Sequence, residues 1–154
     1  WIDNEEPKPE VFVKPLSSPA KDYHVPTFNK VSTKIKADCE KYIPNYDINS
    51  TEADLFANLK SEFEKIGHSS CLIVDCGFDL EMPIGYRIKI NSNESLKNNG
   101  IFASHFLDQS CYNNKSIRIK VSLINVSKNI FTIKKDDKIA KISIEPVYIF
   151  DWYN

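Results

Sequence analysis

The sequence predicts an all-β domain, a barrel or jelly-roll sandwich, with one inserted helix and an extended N-terminal arm. Three observations predict it. From Ser69 onward the chain is a series of short β-prone runs bounded by Gly, Pro, Asn or Asp, as in "CLIVDC", "FDLEM", "YRIKI", "IFTI" and "KIAKISI". Within 117–123, Ile117, Ile119, Val121 and Leu123 alternate strictly with Arg118, Lys120 and Ser122, the period of a strand with one wet face. Only "STEADLFANLKSEFEKIG" carries apolar residues at helical spacing.

Taken in order, residues 1–27 come first. Five of the eight prolines fall there, and proline removes a backbone donor and fixes φ, so an extended arm is expected rather than a helix or central strand. Its Val11-Phe12-Val13 needs a surface to cover it, on its own domain or on a neighbour. The domain proper is placed at 28–154, beginning with an extended stretch at 28–48. The helix is expected at about 51–66: Ser50 or Thr51 caps it, Glu52 and Asp54 suit its positive end, and Gly67 ends it. Leu55, Phe56, Leu59 and Phe63 form its apolar stripe, read as core packing. Beyond it, Gly77 and Gly85 are expected in hairpin turns, Gly100 opens a strand, and "KKDD" (134–137) reads as a hairpin turn. Many short strands with one helix indicate a barrel or sandwich.

Composition narrows function less than fold. The 154 residues suit one domain with a real core, and 42% hydrophobic with 27% charged residues is ordinary for a soluble globular protein. A net charge of −1 gives no reason to expect nucleic acid, and no run approaches a membrane span. Of twenty basic residues only Arg87 and Arg118 are arginine, which leaves few bidentate clamps for phosphate. Cys39, Cys71, Cys76 and Cys111 show no zinc spacing and read as buried free thiols. Cys71 and Cys76 point to opposite faces of one strand. Asn49, Asn93, Asn114 and Asn125 each begin an N-x-S/T match of the kind chance produces, and a reduced compartment is the simpler reading. The chain begins at Trp1, as a processed or partial product would. Asp75, Asp79 and Glu81 are expected to be solvated carboxylates of a wet face rather than a metal cluster. Asp136-Asp137 is read as turn chemistry. His24, His68 and His105 share no ligand spacing. The terminal "IFDWYN" is expected either to anchor a partner or to pack on its own domain.

The order of turns from 71 onward resembles the trimeric dUTP pyrophosphatases (dUTPases). "CLIVDCGFDLEMPIGYRIKI" (71–90) is similar to that family's strand, Thr-Gly turn, strand, Pro-Pro-Gly-Tyr turn and strand. "KNNGIF" (97–102) is similar to the segment after its second motif, and 117–144 to the end of its third motif through its fourth. Ala37-Asp38 stands where the first motif has its Ala/Gly-Asp pair. The resemblance implies a β-clip type jelly roll, a homotrimer, and a magnesium-dependent site built between subunits.

The same resemblance shows what is missing. Where the family's second motif reads Arg-Ser-Gly-Leu, this chain has Asn93, Glu94, Ser95 and Leu96, and a glutamate facing a triphosphate repels it. The third motif's region is "LDQSCYNNKS", with Asp108 and Tyr112 at altered spacing and Cys111 before the tyrosine. The fourth reads Asp136-Asp137-Lys138-Ile139-Ala140-Lys141, without its glutamine. The glycine-rich C-terminal arm has no counterpart before Asn154. No catalytic or metal-ligating set is therefore expected. Asp38, Asp108 and Tyr112 are remnant candidates, the binding residues are unknown, and no cofactor is expected unless the chain is an enzyme after all, in which case Mg2+ is.

The expected function is a non-catalytic, homotrimeric module with a structural or binding role. A virion accessory or capsid decoration protein of a virus or phage is the form this takes by analogy. Its partner would be another viral or host protein met through the N-terminal arm, with no membrane and no nucleic acid involved, in the virion or otherwise the cytoplasm. Two alternatives stand beside it: a pyrophosphatase of dUTP or another deoxynucleotide with altered motifs, and a regulatory protein-binding module.

Overall fold

The computed structural model describes residues 33–46, 50–106 and 116–154. The predicted arm at 1–27 lies outside them. All the described residues fall in the unit Thr33–Asn154.

Among the described residues, ten strands and one short helix follow in order: β1 (Ile35–Ala37), β2 (Asn45–Tyr46), β3 (Ala53–Phe56), β4 (Phe63–Ile66), β5 (Cys71–Glu81), β6 (Tyr86–Ser92), α1 (Glu94–Lys97), β7 (Ile101–His105), β8 (Ser116–Asn125), β9 (Phe131–Lys134) and β10 (Lys138–Pro146). A 3-10 turn at Glu40–Tyr42 joins β1 to β2. One four-stranded sheet runs β1-β5-β8-β7, a second runs β2-β3-β10-β6, and β4 and β9 form a two-stranded ribbon. Every pairing is antiparallel. The predicted all-β class holds. The described sheets are jelly-roll-like layers, and their hydrogen bonding does not close a full barrel.

The predicted alternation in 117–123 is realised in β8. Ile119, Val121 and Leu123 are buried, while Arg118, Lys120 and Ser122 are only half-buried. They meet Val74, Cys76 and Phe78 of β5, Ile101 of β7, and Leu55, Ile139 and Ile142 from the second sheet in one apolar cluster. Fully burying each Leu, Ile, Val or Phe contributes roughly 1.5–3 kcal/mol, so this cluster is the main source of cohesion between the layers.

The predicted helix at 51–66 is not formed. Its residues make two strands instead: Ala53–Phe56 pairs with β10, and Phe63–Ile66 pairs with β9. Glu, Ala, Leu and Lys favour a helix locally, but neighbouring strands supply the backbone partners, and tertiary context overrides a propensity of tenths of a kcal/mol per residue. The stripe was half right. Leu55 and Leu59 are buried, whereas Phe63 is exposed.

Three turn assignments also change. Gly77 is not at a hairpin but inside β5, at φ +85°, where the register with β8 shifts. Asp75 pairs with Lys120 and Asp79 with Arg118, so four steps along β5 face two along β8. "KKDD" does turn the chain, but between β9 and β10, which lie in different sheets. Gly85 likewise turns the chain, but between β5 and β6, which lie in different sheets and form no hairpin, while Gly100 stands at the predicted strand opening.

Candidate functional site

The Gly77 bulge creates the most densely charged point among the described residues. By folding four β5 residues against two of β8, it brings Asp75 and Asp79 around Arg118. The Gly77 N–H donates to Asp75 Oδ1 at 2.7 Å and fixes that carboxylate across the bulge. Asp38 arrives from the end of β1, held by its own N–H, which donates to the Gly77 carbonyl at 2.8 Å.

Arg118 bridges all three carboxylates. Its Nη1 and Nη2 donate to the two oxygens of Asp38 at 3.0 and 2.5 Å, and its Nε donates to Asp75 Oδ2 at 3.1 Å. Asp79 stands 3.7 Å from Nη1. Asn58 Nδ2 adds a second donor to Asp38 at 3.2 Å. The hydrogen bonds from Arg118 hold the Asp38 carboxyl below its ordinary value, and the bond to Asp38 in turn pushes Arg118 further up. Three carboxylates and one guanidinium carry a formal charge of −2.

This corrects the sequence reading in two ways. Asp75 and Asp79 are ion-paired rather than simply solvated. Asp38, the remnant candidate among the described residues, is hydrogen-bonded through both oxygens, to Arg118 and Asn58. Asp108 and Tyr112 lie outside the described residues. Sequence reasoning passed over Arg118, and the available signal was a glycine between two aspartates in a run otherwise read as two strands.

The other motif positions are also spent internally. Asn93 caps α1, its Oδ1 accepting from the Leu96 N–H at 3.3 Å, while Glu94 pairs with Lys97 at 2.9 Å and Leu96 is buried. Beside them is a cavity of about 430 Å³ lined by Glu52, Asn91, Ser92, Glu94, Lys97, Phe102 and Lys141. The Asn91 amide donates to Glu52 across it. In the fourth segment, Asp54 is 4% exposed and holds Lys141 at 3.1 Å and Lys138 at 3.4 Å. Asp136, at φ +69°, accepts from the Tyr42 hydroxyl at 2.6 Å and from Lys41 Nζ at 2.8 Å, so it does more than turn the chain. Asp137 accepts the Lys134 N–H at 2.9 Å, which is turn chemistry as predicted.

Magnesium does not fit the described residues. The carboxylates that converge do so on Arg118, and a divalent ion would have to displace a guanidinium bonded to two of them. No group of three or more His, Cys, Asp and Glu side chains among the described residues is arranged to hold a metal.

The remaining flagged residues separate clearly. Cys76 is buried, but Cys39 and Cys71 are exposed, contrary to the reading of all as buried thiols, and Cys111 lies outside the described residues. His68 Nδ1 bonds the Ser127 carbonyl at 2.7 Å. His105 has a buried Nε2 with no hydrogen-bond partner, and burial pushes its pKa down. Asn125 is fully buried. Its amide donates to the carbonyls of Ile66 and Asn129 at 2.8 and 2.7 Å, so its N-x-S match is structural. Ile149, Phe150, Trp152 and Tyr153 are strongly exposed, and Phe150 and Trp152 touch only as a tilted ring pair 5.8 Å apart. Among the described residues no helix is long and apolar enough to cross a membrane.

No family model and no curated protein sequence matches the chain. Solved structures do. A dUTPase from phage phi11 of S. aureus superposes with a TM-score of 0.62 at 11% identity, covering 80% of this chain and 96% of that one. The dUTPase of Streptococcus mutans gives 0.58 at 15% identity, covering 77% and 98%. The dUTPase of Staphylococcus bacteriophage 80alpha gives 0.59 at 12%, covering 81% and 96%, in work describing phage dUTPases that control transfer of virulence genes. The chain has a dUTPase-like fold.

Proposed function

We propose that this chain is a non-catalytic module with a dUTPase-like fold, assembled as a homotrimer and used for structure or binding. One observation carries the reading: Asp38, the remnant carboxylate among the described residues, is held through both oxygens by Arg118, inside a cluster of formal charge −2. A general base must have a lone pair facing its water, and a triphosphate needs donors or a cation on its oxygens. The lysines at 138 and 141 add support, because the nearly buried Asp54 engages both.

The trimer follows from the resemblance of turns and motifs, and a scaffold kept without its chemistry is left with assembly and recognition. The exposed aromatic segment 147–154 supports a binding role, since contiguous apolar surface of this kind marks interaction sites. A place in a virus or phage particle, as an accessory or decorating protein, is the specific form proposed. The partner would be a viral or host protein, engaged through the N-terminal arm. Calorimetric titration of the full chain with a non-hydrolysable dUTP analogue and Mg2+ tests the reading. No binding heat is expected, and a saturable isotherm would overturn it.

A second reading, a regulatory module that binds another protein, is favoured by the likeness to a phage dUTPase described as controlling gene transfer. A stable complex with one host protein and no self-association would select it.

A further inference from the structure

We infer that the outer edge of β4 is a docking site for an extended acidic peptide, which adds to the β4–β9 ribbon as a third strand. Among the described residues β4 pairs only with β9, and this ribbon joins neither four-stranded sheet. The Lys135 N–H donates to the Glu62 carbonyl at 2.9 Å, and bonded pairs alternate along an antiparallel ladder. Glu64 and Ile66 therefore turn their backbone groups toward β9, while Phe63 and Lys65 turn theirs away. Two neighbouring contacts obey the same parity. Ser61 Oγ donates to the Phe63 carbonyl, and the Lys134 N–H donates to Asp137 rather than across the ribbon, each at 2.9 Å. No described residue bonds the Phe63 N–H or either backbone group of Lys65, and Phe63, Glu64 and Lys65 are all exposed.

The side chains beside this edge define what the added strand carries. Phe63 lies opposite Lys134 and Lys65 opposite Thr132, so these four share the outward face, while Ile66 and Ile133 are buried on the other. With Glu62 and Lys135 they line a cavity of about 530 Å³. Phe63 is 52% exposed there. Lys65, Lys134 and Lys135 make no ion pair among the described residues, unlike Lys138 and Lys141, which Asp54 holds. Lys135 acts on Asp136 only through its field. Three cations against Glu62 leave a formal charge of +2 around an exposed ring.

Three features select the occupant. Backbone groups left open along a strand edge match the main chain of an extended peptide. Lysine on an edge discourages an uncharged strand, and the local positive charge favours carboxylates. A single ring offers one stacking position where single-stranded nucleic acid uses successive ones, so a peptide is favoured over RNA or DNA. The fitting strand alternates on its outward side, with an apolar residue beside Phe63 and a carboxylate beside Lys65. None of the six lining residues belongs to the Arg118 cluster, so this site stands or falls separately from nucleotide chemistry.

The test is fluorescence anisotropy of the full chain with a labelled nonapeptide in which threonine alternates with glutamate and valine by turns (TETVTETVT). Saturable binding is expected. It should weaken ~5-fold or more when the glutamates become glutamines, or when the backbone amides facing the edge are N-methylated. Lys65→Glu and Lys134→Glu should weaken it by a similar factor with unchanged thermal midpoints, whereas Lys36→Glu, on β1, should bind as the parent chain does. No saturable binding, equal binding of either altered peptide, or an equal loss in Lys36→Glu would overturn the inference. So would tighter binding of labelled oligothymidylate that Lys65→Glu abolishes, which would assign the face to nucleic acid. Should a variant not fold, the two altered peptides decide on the parent chain alone.

Discussion

Arg118 and Asp38, eighty positions apart in the chain, are joined by two parallel hydrogen bonds of 3.0 and 2.5 Å. The pairing is bidentate, the geometry for which arginine is best suited. It occupies a carboxylate that the resemblance to dUTPases would otherwise assign to nucleotide chemistry. The guanidinium is shared with Asp75 and Asp79, so removing it leaves three carboxylates without their common counter-charge.

Arg118→Met is therefore expected to lower the thermal midpoint more than Asp38→Asn, which removes only one partner. The acid side adds a sign. Because Arg118 depresses the Asp38 pKa, the contribution of that carboxylate is fully present above the ordinary carboxylate range and is lost as pH falls below about 4. Urea midpoints at pH 7 and pH 3 should differ less in Asp38→Asn than in the parent chain.

His105 titrates in a different window. Burial depresses its pKa below the ordinary 6.5, so between that lower value and about 6.5 the unfolded chain binds a proton that the folded chain does not. Stability contributed by neutral His105 falls as pH drops through this range and is constant above it. His105→Leu is expected to flatten the thermal midpoint between pH 7 and 5, and an unchanged slope would contradict the assignment.

Gly77 and Gly85 separate backbone strain from contact. Both have positive φ, but a Cβ on Gly85 would meet nothing within 4 Å, whereas one on Gly77 would stand 2.6 Å from Tyr42 Cγ. Tyr42 is buried and tied through its hydroxyl to Asp136, which restrains the ring from yielding. Gly85→Ala should cost about 1–2 kcal/mol from conformation alone. Gly77→Ala should cost about 3 kcal/mol or more, because the overlap adds to the strain. Denaturant unfolding of the two variants measures the difference.

Asn125 is the buried polar joint of the first sheet. Besides its two donated bonds, its Oδ1 accepts from the N–H and hydroxyl of Ser127 at 2.9 and 2.7 Å. Asn125→Ala strips partners from four groups, with an expected loss of about 3 kcal/mol. Chemical denaturation checks it.

These residues also show what was legible in the sequence. The β8 pattern could be read because one face is buried and the other is not, so alternation survives in the residue types. The strand β3 could not, because Ala53, Asp54 and Leu55 are all buried and a strand covered on both sides loses its period. The leucine, alanine and glutamate content of the whole 51–66 stretch mimics a helix. The site was hidden for a related reason. Asp75 and Asp79 look like ordinary wet-face residues until the Gly77 bulge halves their spacing relative to β8, and no local pattern announces that Asp38 will meet them there.

The central claim is that the fold is kept without nucleotide hydrolysis. The direct measurement is Mg2+-dependent release of pyrophosphate from dUTP and the other deoxynucleoside triphosphates by the full chain. The expected result is no turnover above the protein-free blank for any of them. Turnover that is suppressed by Asp108→Ala would contradict the account.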